Sequence, residues 1–154
     1  MEEIAHLPND ALVVGTIAEW HQQTWGYLTG RSTAERIAEF EEQFESRRIP
    51  LTLVAFVEGR PVGNASLLQS DMTTHPELTP WLASVFVLPH CRRRGIGARL
   101  CGRAVAEAER LGVTTLYLFT ADRAPFYRRM GWVEMLREHY GGEPVTIMQL
   151  PLSR

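Results

Sequence analysis

The chain has 154 residues, of which 45% are hydrophobic and 22% charged, the balance of one soluble globular domain spanning 1–154. A formal net charge of −2 gives no support for nucleic-acid binding. No apolar run approaches the ~20 residues that cross a bilayer, so no membrane association is expected.

Residues 3–7 read as a short first strand. Asn9 or Asp10 then caps a helix from Ala11 to about Gln23, whose apolar side carries Val14, Ile17, Ala18, His21 and Trp25. Gly26 is expected to end it, leaving Trp25 to Gly30 as a loop. A second helix begins at Ser32, where Ser32 and Glu35 form a capping box, and Pro50 marks its end. Ile37, Phe40 and Phe44 make its apolar stripe. Leu51–Val57 and Val62–Gln69 flank the turn Glu58-Gly59-Arg60-Pro61 and read as an antiparallel hairpin. Residues 70–77 are polar and irregular. Trp81–Leu88 is a third long strand.

A helix follows from Gly95 to about Leu111, with Gly112 as its stop. Thr114–Phe119 is a strand, and strand–helix–strand in one sheet implies a parallel pair with a right-handed crossover. Ala124–Met130 is a short helix closed by Gly131. Trp132–Tyr140 and Val145–Leu150 form a last hairpin about Gly141-Gly142. The fold class is α+β (mixed α/β): three layers around a central mixed, mostly antiparallel sheet flanked by helices.

The N-terminus, Met1 to His6, is acidic and lacks the basic and apolar regions of a signal peptide, so a cytoplasmic location is expected. Cys91 and Cys101 are too few for a disulfide framework and have no metal-site spacing; both are expected reduced, with no metal bound. All 16 basic residues are arginine, and charge is uneven: −7 over residues 1–77 and +5 over 78–154. A basic half for an anion and an acidic half for a cation is one reading. Solvated helix faces are the other, because Glu39, Glu41, Glu42 and Glu45 fall on one expected helix.

The stretch from Val85 to Leu100 carries the strongest chemical signal. An apolar strand stops at Pro89, then come Arg92-Arg93-Arg94, then Gly95-Ile96-Gly97, then a helix. Free N–H groups of a first helical turn and the helix dipole favour an anion there. Dinucleotide binding requires a third glycine where Leu100 stands. A loop without a ligand is the remaining alternative.

Val85-x-Val87-x-Pro89 followed by Arg92-Arg93-Arg94-Gly95-Ile96-Gly97 resembles the acyl-CoA signature of the GNAT N-acetyltransferase superfamily. Phe126-Tyr127-Arg128-Arg129-Met130-Gly131-Trp132 resembles its later motif, with Trp132 in place of a phenylalanine, and the element order agrees from residue 3 to 150. The resemblance implies acetyl transfer from acetyl-CoA to an amine of a small molecule or a peptide N-terminus. The pyrophosphate is then expected on backbone N–H groups from Arg93 to Ala98, including Gly95, Ile96 and Gly97. Arg92, Arg93, Arg94 and Arg99 add positive charge, and Asp122 sits near pantetheine or phosphate. Pantetheine is expected along Val85, Phe86 and Val87, with the Val87 N–H, or one beside it, as oxyanion donor. Tyr127 is the candidate proton donor to the departing sulfur.

The general base is open: Asp71, Glu77, His75, His21, or a water held by Ser84 or a backbone carbonyl. Trp25, Tyr27, Trp81 and Tyr140 are expected to wall the acceptor site, with Glu77 or Asp71 as counter-charge. Two other readings remain, an acyl-CoA-binding sensor with little catalysis and transfer of a longer acyl group. Relatives include dimers built through sheet edges or hairpins, so a homodimer is an option.

Overall fold

Seven strands form a single sheet in the order β1-β2-β3-β4-β5-β7-β6. The structure is a computed structural model and describes residues 1–44 and 47–152. The strands are β1 (Glu2–His6), β2 (Leu51–Val57), β3 (Arg60–Leu68), β4 (Trp81–Val87), β5 (Thr115–Thr120), β6 (Val133–Tyr140) and β7 (Glu143–Pro151). The helices are α1 (Ala11–Thr29), α2 (Thr33–Glu41), α3 (Ile96–Arg110) and α4 (Ala124–Arg128), with a 3-10 turn at Pro89–Cys91. Every strand pair is antiparallel except β4–β5. Among the described residues no helix is long and apolar enough to cross a membrane, and no group of three His, Cys, Asp or Glu is placed to hold a metal.

Strand alternation divides the core into two faces. Leu53 and Ala55 of β2 and Leu116 and Leu118 of β5 point to α3, where they meet Leu100, Cys101, Ala104 and Ala108. Val54 points the other way, to Val14, Ile17, Ala18 and Trp20 of α1 and Phe40 of α2. On that same side, further along, Met72, Trp81, Val145 and Ile147 form a third cluster against Tyr117 and Phe119. The result is the three-layer mixed α/β arrangement, with helices on both faces.

Two helix boundaries differ from the sequence expectation. α1 runs through Gly26 and ends at Gly30, which takes the left-handed conformation (φ 68°) and returns its N–H to the Gly26 carbonyl. The continuation is carried by contacts at its end: a Cβ on Gly141, in the tip of the β6–β7 hairpin, would stand only 2.0 Å from Leu28 Cδ1. Thus Trp25 and Tyr27 lie on a helix, not in a loop. α2 starts with the expected reciprocal Ser32–Glu35 cap but stops at Glu41, well before Pro50. Glu45, assigned above to its acidic face, lies outside the described residues. The last hairpin turns at Gly141 and Gly142, both with positive φ (62° and 83°), as a two-residue turn of this hand requires.

Candidate active site

The parallel pair β4–β5 is a fork. Its only register pair is Trp81 with Tyr117, reinforced by the Tyr117 N–H on the Pro80 carbonyl at 3.1 Å. Beyond it β4 stays with β3 and β5 stays with β7, so the strands part. A cavity of about 790 Å³ occupies the fork and continues over the α1 side, lined by Val85–Val87, Gly95–Ala98, Leu118–Arg123 and the end of α1.

A bulge on β4 shapes this edge. Asn64 pairs with Phe86 and Ser66 with Ala83, so β4 takes three steps where β3 takes two. Ser84 in the bulge has φ 56°, a left-handed conformation that is uncommon and costly for a residue with a Cβ. The extra residue shifts the alternation: Leu82 and Val85 both face the α3 core, while Phe86 faces α1. The Leu88 N–H donates to the Val62 carbonyl of β3 at 2.8 Å. Because N–H directions alternate along a strand, the Val87 N–H points away from β3, into the fork.

A buried polar chain from α1 holds the bulge. Asn64 Nδ2 donates to the Ser84 carbonyl at 3.0 Å and to His21 Nε2 at 2.9 Å. The His21 ring is then the neutral tautomer with its proton on Nδ1. Burial, aided by the Arg36 charge, lowers its pKa to about 4. Gly63 is required beside it: a Cβ there would lie 2.7 Å from the Phe86 carbonyl oxygen. Neither Asn64 nor Gly63 stands out in the sequence as a site residue.

At the open end of the fork, Arg93 and Gly95 both have positive φ (66° and 80°) and curl the backbone into the start of α3. Gly95 is the N-cap and makes no side-chain cap hydrogen bond; the first intrahelical bond is the Arg99 N–H to the Gly95 carbonyl at 3.0 Å. The N–H groups of Ile96, Gly97 and Ala98 therefore have no intrahelical acceptor and belong to residues that line the cavity. This is a fitting cradle for a phosphate. A Cβ on Gly97 would meet Phe126 of α4 at 3.6 Å, ordinary contact.

The arginines divide. Arg92 binds the Val87 carbonyl through Nε at 2.7 Å and stacks over Phe86 at 5.7 Å, so it fixes the strand end. Arg92 also lines the cavity, with Arg93, Arg123 and Arg129, whereas Arg94 does not. Arg99 is bound by the Glu2 carboxylate of β1, an acid that sequence proximity did not reveal. Asp122 lines the cavity at the end of β5. Tyr127 is 8% exposed and lines the cavity; among the described residues its hydroxyl has no protein partner. Burial pushes its pKa above the usual phenol value, so it stays protonated.

The far half of the cavity is walled by Trp25, Tyr27 and Tyr140, together with Asp71, Arg31, Arg36 and Glu143. Tyr27 donates to Glu143 at 2.8 Å, and the Thr73 N–H donates to the Tyr140 hydroxyl at 3.1 Å. Two expected members of this wall stand elsewhere. Trp81 is fully buried, its indole N–H on the Leu78 carbonyl at 2.7 Å, because its strand position faces the Met72–Ile147 cluster. Glu77 is exposed and bound to His75, which also binds Glu138 at 2.8 Å; neither Glu77 nor His75 lines the cavity. His21 is likewise off the wall. Of the side chains weighed as base, Asp71 alone lines the cavity. Burial raises it to about 7 against the pull of Arg31, and it has no protein partner among the described residues.

Comparison with known proteins agrees with this arrangement. The acetyltransferase (GNAT) family profile matches residues 15–132. The fold is similar to yncA of Salmonella typhimurium, solved with its cofactor acetyl-CoA (20% identity, 99% of this chain and 94% of that chain covered, TM-score 0.74). It is similar to an aminoglycoside 6'-N-acetyltransferase complexed with coenzyme A (17%, 99% and 98%, TM-score 0.77). It is also similar to an N-acetyltransferase from Staphylococcus aureus Mu50 (18%, 99% and 99%, TM-score 0.76). No curated protein sequence matches the chain significantly. With a profile match over most of its length and this sheet topology, the chain belongs to the acetyltransferase (GNAT) family.

Proposed function

We propose that the protein moves an acetyl group from acetyl-CoA to a primary amine by direct attack on the thioester. The observation that supports this most is the fork itself. An unpaired strand edge carrying the Val87 N–H runs into the uncapped start of α3, with the Tyr127 hydroxyl on the same cavity wall.

Bound acetyl-CoA supplies the thioester; its pyrophosphate fits the N–H groups of Ile96, Gly97 and Ala98. Asp71 accepts a proton from the acceptor's ammonium group, leaving the amine neutral, and a carboxyl held near 7 is suited to that exchange at neutral pH. The Val87 N–H donates to the carbonyl oxygen as negative charge gathers there. As the carbon–nitrogen bond forms, the nitrogen loses its second proton to solvent; Tyr127 gives its proton to the sulfur as the carbon–sulfur bond breaks, and regains one from solvent. Arg92, by holding the Val87 carbonyl, keeps the donor edge in place.

Incubation with acetyl-CoA and a panel of small amines and peptides, read by mass spectrometry, tests the proposal. A product 42 mass units heavier is expected for at least one acceptor. Tight CoA-ester binding with no acetylated product across the panel contradicts it and leaves a binding module.

A further inference from the structure

Arg36 is the most unusual charged residue outside the chemistry described above. It lies on α2 yet is only 6% exposed, because α2 folds back over α1. Its Nε donates to Gln22 Oε1 at 3.1 Å and its Nη2 to Thr29 Oγ1 at 2.6 Å, both neutral acceptors on α1. Those bonds use two of a guanidinium's five N–H groups. Among the described residues no carboxylate pairs with it: Glu39 is taken by Arg31 at 2.8 Å, and Glu143 by Tyr27. A buried cation with no carboxylate bonded to it is expensive, and burial together with the Arg31 charge, opposed in part by Glu39, draws its pKa below the usual value. Arg36 lines the cavity in the same half as Asp71. Arg31 lines it as well and acts on Asp71, so this part of the cavity carries charges of both signs.

We propose that the acceptor is a zwitterion of amino-acid type, with its amine at Asp71 and its carboxylate on the remaining N–H groups of Arg36. This rests on the acetyl-transfer reading and narrows it. A peptide N-terminus, whose neighbouring carbonyl is an amide, lacks the group that Arg36 would bind. Gln22 and Thr29 hold the guanidinium in one orientation, which suits a planar carboxylate. The aromatic walls Trp25, Tyr27 and Tyr140 would then take the side chain.

The test is a set of matched acceptors: the common L-amino acids, their carboxamides and their decarboxylated amines. Each is supplied with acetyl-CoA to the wild-type protein, Arg36→Gln and Arg36→Lys. Wild type should favour the carboxylate member by about 30-fold or more in kcat/KM, the scale of one buried charged pair. Arg36→Gln should bring that ratio near one by slowing only the carboxylate member, with the KM for acetyl-CoA unchanged. Arg36→Lys should recover part of the preference.

Equal wild-type rates on matched members overturn the inference while acetyl transfer stands. Equal loss on both members in a folded Arg36→Gln makes Arg36 a clamp between helices and also overturns it. If that variant does not fold, the wild-type ratio decides alone. No product from any acceptor removes acetyl transfer and this inference with it.

Discussion

Asp71→Asn separates the chemistry proposed for this cavity from its stability. The carboxyl is raised from 3.8 to about 7, chiefly by burial. That is about three pH units, each worth about 1.4 kcal/mol, so holding the half-buried Asp71 ionised costs the folded state at most roughly 4 kcal/mol at high pH, reduced where water reaches the carboxyl. The unfolded chain releases this proton near 3.8 and the folded chain near 7, so in between the folded state holds more protons. Its stability from this group is therefore greatest at low pH, falls as pH rises through that window, and levels off above it. Between pH 5 and pH 8 the loss is roughly 2–3 kcal/mol. Asparagine has no such titration. In urea unfolding at both pH values, Asp71→Asn should gain on wild type by that amount on going from pH 5 to pH 8. Turnover of the variant should fall by about 10²–10⁴-fold, the usual worth of a general base. In wild type, kcat/KM should rise with pH through about 7. A stability difference that is the same at both pH values, or unchanged turnover, refutes the assignment of Asp71 as a half-buried proton acceptor.

Tyr127→Phe removes a hydroxyl with no protein partner among the described residues, so stability and acetyl-CoA affinity should hold while turnover falls by about 10²-fold; wild-type turnover by direct product assay would take Tyr127 out of the chemistry. Gly95→Val places a β-branched residue at φ 80°, so it should lose about 1–3 kcal/mol in thermal unfolding. Its acetyl-CoA affinity by calorimetry should also weaken by more than about tenfold, through disturbance of the cradle N–H groups; unchanged affinity would move the phosphates elsewhere. Gly63→Ala must push β4 away from a 2.7 Å contact with the Phe86 carbonyl, so it should cost about 1–3 kcal/mol and lower kcat more than it raises KM. Full activity in that variant would show that the position of β4 does not govern the reaction.

Local signals were read well from the sequence, and long-range ones were not. The helix start at Gly95, the Ser32–Glu35 cap and the Gly141-Gly142 turn are each decided within a few residues, and the structure has them in place. Gly26 reads as the stop of the first helix; packing of Leu28 against the distant hairpin carries the helix on to Gly30. Trp81 reads as a wall of the acceptor site, yet its strand position turns it into the core under β7. The bulge at Ser84 carries no glycine to announce it. Arg36 carries no signal in the sequence as a site residue, and only the fold of α2 onto α1 buries it. Asp71 is one of several candidate bases in the sequence, and unlike Glu77 and His75 it lines the cavity.

The central claim is that the fork between β4 and β5 holds acetyl-CoA, phosphates at one end and thioester at the other. A crystal structure of the protein with acetyl-CoA, or with a non-hydrolysable analogue, measures this directly. Pyrophosphate oxygens should lie about 3 Å from the backbone nitrogens of Ile96, Gly97 and Ala98, with the thioester oxygen at a similar distance from the Val87 nitrogen. A pyrophosphate bound away from the start of α3, or a thioester that does not reach Val87, would contradict the account.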